Sequence, residues 1–140
     1  MFPLSNVPAI EPSEMMARFL LKSNEFRSDG TVHANAFFPY KEVELSVTRR
    51  RDLERHELWK FGRDVATFRA LTLYGRADIA VADCSEQNLE LKADPLDGSQ
   101  NGLINSHHAI IDGYSSDRHE QRNVAQKLAA KASRVFRVDT

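Results

Sequence analysis

Apolar residues recur along this chain with two distinct periods. Leu58, Phe61, Val65 and Phe68 repeat at helical spacing, while Arg55, Lys60, Arg63 and Asp64 occupy other sides of the wheel. This predicts a helix over about 54–70, with Trp59 at the rim of its apolar stripe. Gly62 inside that helix costs about 1 kcal/mol relative to alanine, so it predicts close approach to a neighbouring element. Val124, Ala125, Leu128, Ala129 and Ala132 mark a second helical face, capped by Ser115 or Ser116 and ending near residue 133. Behind Ser13 as a cap, Met16, Phe19 and Leu20 fall at i, i+3 and i+4, which predicts a helix over about 13–24.

The other period is two. Val43, Leu45 and Val47 alternate with Glu44, Ser46 and Thr48, predicting a half-buried strand with the polar set facing out. Residues 77–83 are small, apolar and β-branched, and residues 88–93 alternate; both read as strands. Asp94 to Gly102 is dense in turn formers and reads as a loop. The segment Asn105-Ser106-His107-His108-Ala109-Ile110-Ile111-Asp112-Gly113 reads as a further strand closed by glycine. Ala36-Phe37-Phe38-Pro39-Tyr40 is apolar but interrupted by proline, which predicts an edge or a bend. Residues 1–12 hold three prolines and little pattern, and read as an extended N-terminal arm before a single domain over 13–140. Short strands interspersed with helices predict an α+β fold, a mostly antiparallel sheet of about four strands with about three helices on one face. No strand has the long Val/Ile/Leu run of a parallel sheet covered on both sides.

Charge and composition narrow the function classes. The 140 residues carry 19 basic and 20 acidic side chains, a net charge of −1, which argues against non-specific nucleic-acid binding as the main task. Cys84 is the only cysteine, so no intrachain disulfide forms, as suits a reducing compartment. The first residues lack the basic and apolar regions of a signal peptide. No apolar run approaches the ~20 residues of a membrane span. A cytoplasmic protein with no membrane association is expected.

Candidate chemistry centres on the paired histidines, since imidazole titrates nearest neutral pH. On a strand His108, Ile110 and Asp112 share one face and His107 points to the other. His108 and Asp112 then stand about 13 Å apart, too far for a direct hydrogen bond. The potential ligands His33, His107, His108, His119, Asp112 and Cys84 lack metal-site spacing, so neither metal nor cofactor is expected. Asp83 beside Cys84 disfavours a thiolate nucleophile. Arg49, Arg50 and Arg51 run into a helix that adds further arginines. Asp52, Glu54, Glu57 and Asp64 are interleaved, so the cluster is either a salt-bridged face or a site for an anion or acidic partner. Tyr74, Gly75, Arg76 and Asp78 form either a turn with an Arg76–Asp78 pair or one wall of a pocket shared with His108.

Five short stretches carry a resemblance: Ala36–Pro39, Leu45–Arg49, Leu73–Asp78, Asp94-Pro95 and His108–Gly113. On these the chain resembles, over residues 17 to 132, a group of short bacterial proteins of uncharacterised function. The resemblance implies a stand-alone domain and no particular reaction. The chain departs from the group after Gly113, where Tyr-Ser-Ser-Asp replaces a Trp-Pro-like turn, so a site built on that turn does not carry over. The leading functional expectation is a protein-binding accessory subunit or adaptor of a bacterial multi-protein system. Its anchors would be Arg49, Arg50, Arg51, Trp59, Tyr74 and Arg76. The alternative is an enzyme acting on a phosphate-containing substrate, RNA or a nucleotide, with His108 as general acid or base and Arg49 and Arg76 on the phosphate. A homo-oligomer that buries the exposed aromatics is the third expectation.

Overall fold

The computed structural model describes residues 7–39 and 43–139. Residues 1–6 of the expected arm and Tyr40 of the expected bend lie outside the described residues. Along the chain come β1 (Met15–Leu20), β2 (Leu45–Arg49), α1 (Arg55–Arg69), β3 (Gly75–Ala80), α2 (Val81–Glu86), β4 (Glu90–Ala93), β5 (Leu96–Asp97), β6 (Ile104–Asn105), β7 (His108–Asp112), α3 (Arg118–Lys131) and β8 (Phe136–Arg137). Six of the strands form an antiparallel sheet in the order β4-β7-β2-β1-β3-β8, and β5 with β6 forms a separate hairpin. The α+β class is as expected; the sheet is larger than the four strands expected.

The helix expected over 13–24 is the strand β1. Its side chains alternate between two cores: Met16 and Leu20 enter one, while Ala17, Phe19 and the following Leu21 enter the other. When both faces of a strand are buried, apolar residues fall at adjacent positions, and their spacing imitates a helical stripe. The helices therefore lie on both faces of the sheet, not on one. Val81 and Cys84 of α2, Ala125 and Leu128 of α3, and a 3-10 turn at Ala34–Phe37 fill the first core. α1 closes the second alone, through Leu58, Trp59 and Ala66.

Trp59 is at 0% exposure, at the centre of that core and not at its rim. α1 thus has two apolar stripes, and only the one through Leu58, Trp59, Gly62 and Ala66 is buried. Gly62 is where the helix meets β1: a Cβ there would lie 2.8 Å from the Phe19 ring, the close approach that the glycine foretold. Elsewhere boundaries shift. The strand expected over 77–83 begins at Gly75 and turns helical at Val81, and Ala34–Phe37 is a 3-10 turn where an edge or bend was expected. The loop after residue 94 contains β5. α3 is capped by Asp117, whose carboxylate accepts from the His119 N–H, not by a serine.

Arg49 is 3% exposed and fixes the segment before β1. Its guanidinium donates to both carboxylate oxygens of Glu14, at 2.6 and 3.0 Å, and to the carbonyls of Pro8 and Ala9. Arg50 pairs with the buried Asp78 at 2.8 Å, and Arg51 with the exposed Asp52 at 3.4 Å. Removing one partner of a buried pair strands the other charge, which costs about 3–5 kcal/mol. Arg49→Ala is therefore expected to lower the unfolding free energy in urea by that amount, whereas Arg51→Ala shifts it by no more than about 0.5 kcal/mol. Equal effects of the two substitutions would contradict this division of roles.

Candidate functional site

α1 covers β1 and, through Trp59 over Arg76, β3, and leaves the same face toward β2 and β7 uncovered by a helix. On the open side the antiparallel register pairs Thr48 of β2 with His108 of β7, and Ser46 with Ile110. Directly opposite residues share a face, so Thr48, Ser46, His108 and Ile110 lie on one face, and the first three form a floor. The β1–β2 ladder joins only Met16 with Arg49 and Ala17 with Thr48. Beyond it the Arg18 guanidinium donates to the carbonyls of Ser46 and Ala36, at 3.0 and 2.8 Å.

Over this floor runs a groove of about 930 Å³. Phe61, Val65 and Phe68 of α1 line one wall, and Leu96, Leu103, Ile104 and Asn105 of the β5–β6 hairpin line the other. Arg18, Lys22, Arg69 and Arg118 also line it, against the carboxylates of Glu44, Asp64 and Asp94. Asp64 is paired with Lys60 at 2.9 Å.

His108 is held at one ring nitrogen. The β4–β7 register continues past Ala93 to bring Asp94 beside it, and the Asp94 N–H donates to the His108 carbonyl at 2.9 Å. In return His108 Nδ1 lies 2.9 Å from the Asp94 carbonyl oxygen and 3.2 Å from its carboxylate. Both are acceptors only, which assigns the proton to Nδ1. Nε2 then carries the lone pair in the neutral ring and has no hydrogen-bond partner among the described residues. An imidazole oriented at Nδ1 by a carboxylate, with Nε2 turned to a cleft, can take a proton from a bound hydroxyl or water.

Beside it, Thr48 Oγ1 accepts from Asn105 Nδ2 at 3.0 Å, and Asn105 Oδ1 accepts from the His107 N–H at 2.9 Å. The amide is thereby fixed in orientation. The second Nδ2–H and the Thr48 hydroxyl hydrogen have no acceptor among the described residues.

The remaining sequence candidates are dispersed. Arg76 is buried between the rings of Trp59 and Phe136, at 5.0 and 4.5 Å from their centroids, and pairs with Asp78. Tyr74 packs on Phe26. Neither lines the groove, and Arg49 and Arg76 do not reach His108. Trp59, Arg49 and Arg76 are buried, while Arg50 and Arg51 keep partial exposure. Asp112 binds Lys92 at 2.9 Å, not His108. Burial pushes the Cys84 thiol up to about 12, with the charge of Asp83 adding to it. Among the described residues the one cluster with metal-ligand geometry is exposed, Glu54, His56 and Glu57, and it contains none of the ligands considered from sequence. Asp94, Thr48, Asn105 and the groove-facing stripe of α1 were missed as site residues. The available signal was Asp94-Pro95 directly after one strand and His108 at the start of the strand that pairs with it. Comparison with family models, with curated proteins and with solved structures finds no match.

His107 lies against Phe61, with ring centroids 6.2 Å apart, outside the site. Burial holds its pKa below the ordinary 6.5, opposed by a bond with the Arg51 backbone and reinforced by the charge of Arg49. Below pH 6.5 the unfolded chain binds this proton first, so the stability His107 contributes falls as pH drops through its folded value. His107→Gln is expected to flatten the loss of melting temperature between pH 7 and pH 5. An identical slope in both proteins would count against that assignment.

Proposed function

We propose that the groove is a substrate site and that the protein is an enzyme acting on a phosphate-containing substrate, with His108 as the general base. The observation that carries this reading is the Asp94–His108 pair on the groove floor, which engages Nδ1 and leaves Nε2 without a hydrogen-bond partner among the described residues. A concave site of several hundred Å³ with a few convergent polar groups has the dimensions of a small-molecule site. The four basic residues lining the same groove favour an anionic substrate. Arg49 and Arg76, expected on the phosphate, are committed inside the fold, to Glu14 and to Asp78.

Asp94 acts as a positioning residue in this scheme. It fixes the tautomer and the ring plane, and its carboxylate stabilises the imidazolium formed when Nε2 takes a proton from the attacking hydroxyl or water. The adaptor reading retains one supporting observation. The groove lips are apolar and exposed, as a partner segment would require, although Trp59, Arg49 and Arg76 are not available as its anchors.

The two readings separate on one substitution. Wild type and His108→Gln would be assayed against a fluorogenic RNA oligonucleotide and a panel of nucleoside phosphates. Loss of an acid–base residue lowers turnover by roughly 10²–10⁴-fold, while the unfolding free energy should stay within about 1.5 kcal/mol, the worth of one hydrogen bond. Undiminished turnover by the variant would remove His108 from the mechanism. No turnover by the wild type would favour the groove as a partner's docking site.

A further inference from the structure

Two apolar side chains of the groove contribute little to the buried core. Ile104 and Phe68, at 59% and 52% exposure, are the most exposed large hydrophobic residues among those described. They stand on opposite walls of the same groove, one on β6 and one on α1. Phe61 and Val65, half-buried against the edge of the second core, continue the stripe from Phe68 at helical spacing, while the buried set of α1 is Leu58, Trp59, Gly62 and Ala66. Two apolar walls facing one slot favour a flat group held between them. The floor beneath adds hydrogen-bonding capacity that a purely apolar group would waste. The Asn105 amide and the Thr48 hydroxyl each have one donor without an acceptor among the described residues, and Asn105 is locked by its bonds to Thr48 and the His107 N–H. A planar group with a polar edge fits both features; an acyl chain fits only the walls.

We infer that the slot between α1 and the β5–β6 hairpin is a nucleobase subsite, so that the substrate is a nucleoside phosphate and not a simple phosphate ester. The inference rests on the phosphate reading of the groove and specifies which phosphate compound it takes. The base lies between the Phe68 and Ile104 walls with its edge toward Asn105 and Thr48, and the phosphate lies toward the basic residues of the same groove. Base–aromatic stacking is worth roughly one to two orders of magnitude in affinity.

The test is calorimetric titration of the whole protein with the four ribonucleoside monophosphates, the four nucleosides and ribose 5-phosphate. It is repeated on the doubly substituted Phe68→Ser, Ile104→Ser protein, whose exposed positions leave the core untouched. At least one nucleotide is expected to bind about tenfold or more tightly than ribose 5-phosphate, and the double substitution should bring it to the ribose 5-phosphate level. Ribose 5-phosphate binding as tightly as every nucleotide would overturn the base subsite and leave the phosphate reading standing. A nucleoside binding as tightly as its nucleotide, with sensitivity to the double substitution, would support the subsite and remove the phosphate reading. No binding by any of the nine compounds would overturn both.

Discussion

Burial of β1 on both faces is the constraint from which the rest of the architecture follows. A strand with apolar side chains on both faces needs a layer on each side. Met16 and Leu20 recruit α2, α3 and the Ala34–Phe37 turn to one face, and Ala17, Phe19 and Leu21 recruit α1 to the other. One helix is too narrow to cover a six-stranded sheet, since its width with side chains is about 10–12 Å and strands are spaced about 4.8 Å apart. α1 covers β1 and leaves the same face of β2 and β7 open. That uncovered strip, walled by α1 and by the β5–β6 hairpin, is the groove.

The same constraint explains where the charges go. Arg49, Arg76 and Asp78 sit at covered positions of the sheet, so each is buried and must find compensation locally. Arg49 takes Glu14 and two backbone carbonyls. Arg76 takes Asp78 and two aromatic rings, and its Nη1 has no hydrogen-bond partner among the described residues. The ring faces of Trp59 and Phe136 offset part of that cost through cation–π attraction. These arginines hold the sheet together; the basic residues that line the groove are others, Arg18, Lys22, Arg69 and Arg118.

How much of this was legible in the sequence depended on how each element is buried. α1 and α3 each have one polar face, so their periodicity survives in the chain and their extents fall close to 54–70 and 115–133. β1 has no polar face, and its doubly apolar pattern reads as the wrong element. The Arg49–Arg51 run looked like a surface cluster because acidic residues are interleaved with it. Yet the partners of Arg49 and Arg50, Glu14 and Asp78, are 35 and 28 positions away. His108 was visible as a candidate from its residue type and its place on a strand. Its anchor was not, because Asp94 becomes its neighbour only through the β4–β7 register. Likewise the stripe Leu58-Phe61-Val65-Phe68 was legible as one helical face; tertiary packing rotates the helix so that Phe61, Val65 and Phe68 line the groove.

The central claim is that Asp94 holds His108 with its proton on Nδ1, leaving Nε2 as the acceptor in the groove. Two-bond nitrogen–proton correlation spectra of the imidazole rings, recorded at pH 8, report which nitrogen carries the proton. The account predicts the Nδ1–H tautomer for His108 in the wild-type protein. It also predicts that Asp94→Pro, which keeps a backbone carbonyl but removes the carboxylate and the N–H to the His108 carbonyl, loosens this preference. An Nε2–H tautomer for His108 in the wild type would contradict the account.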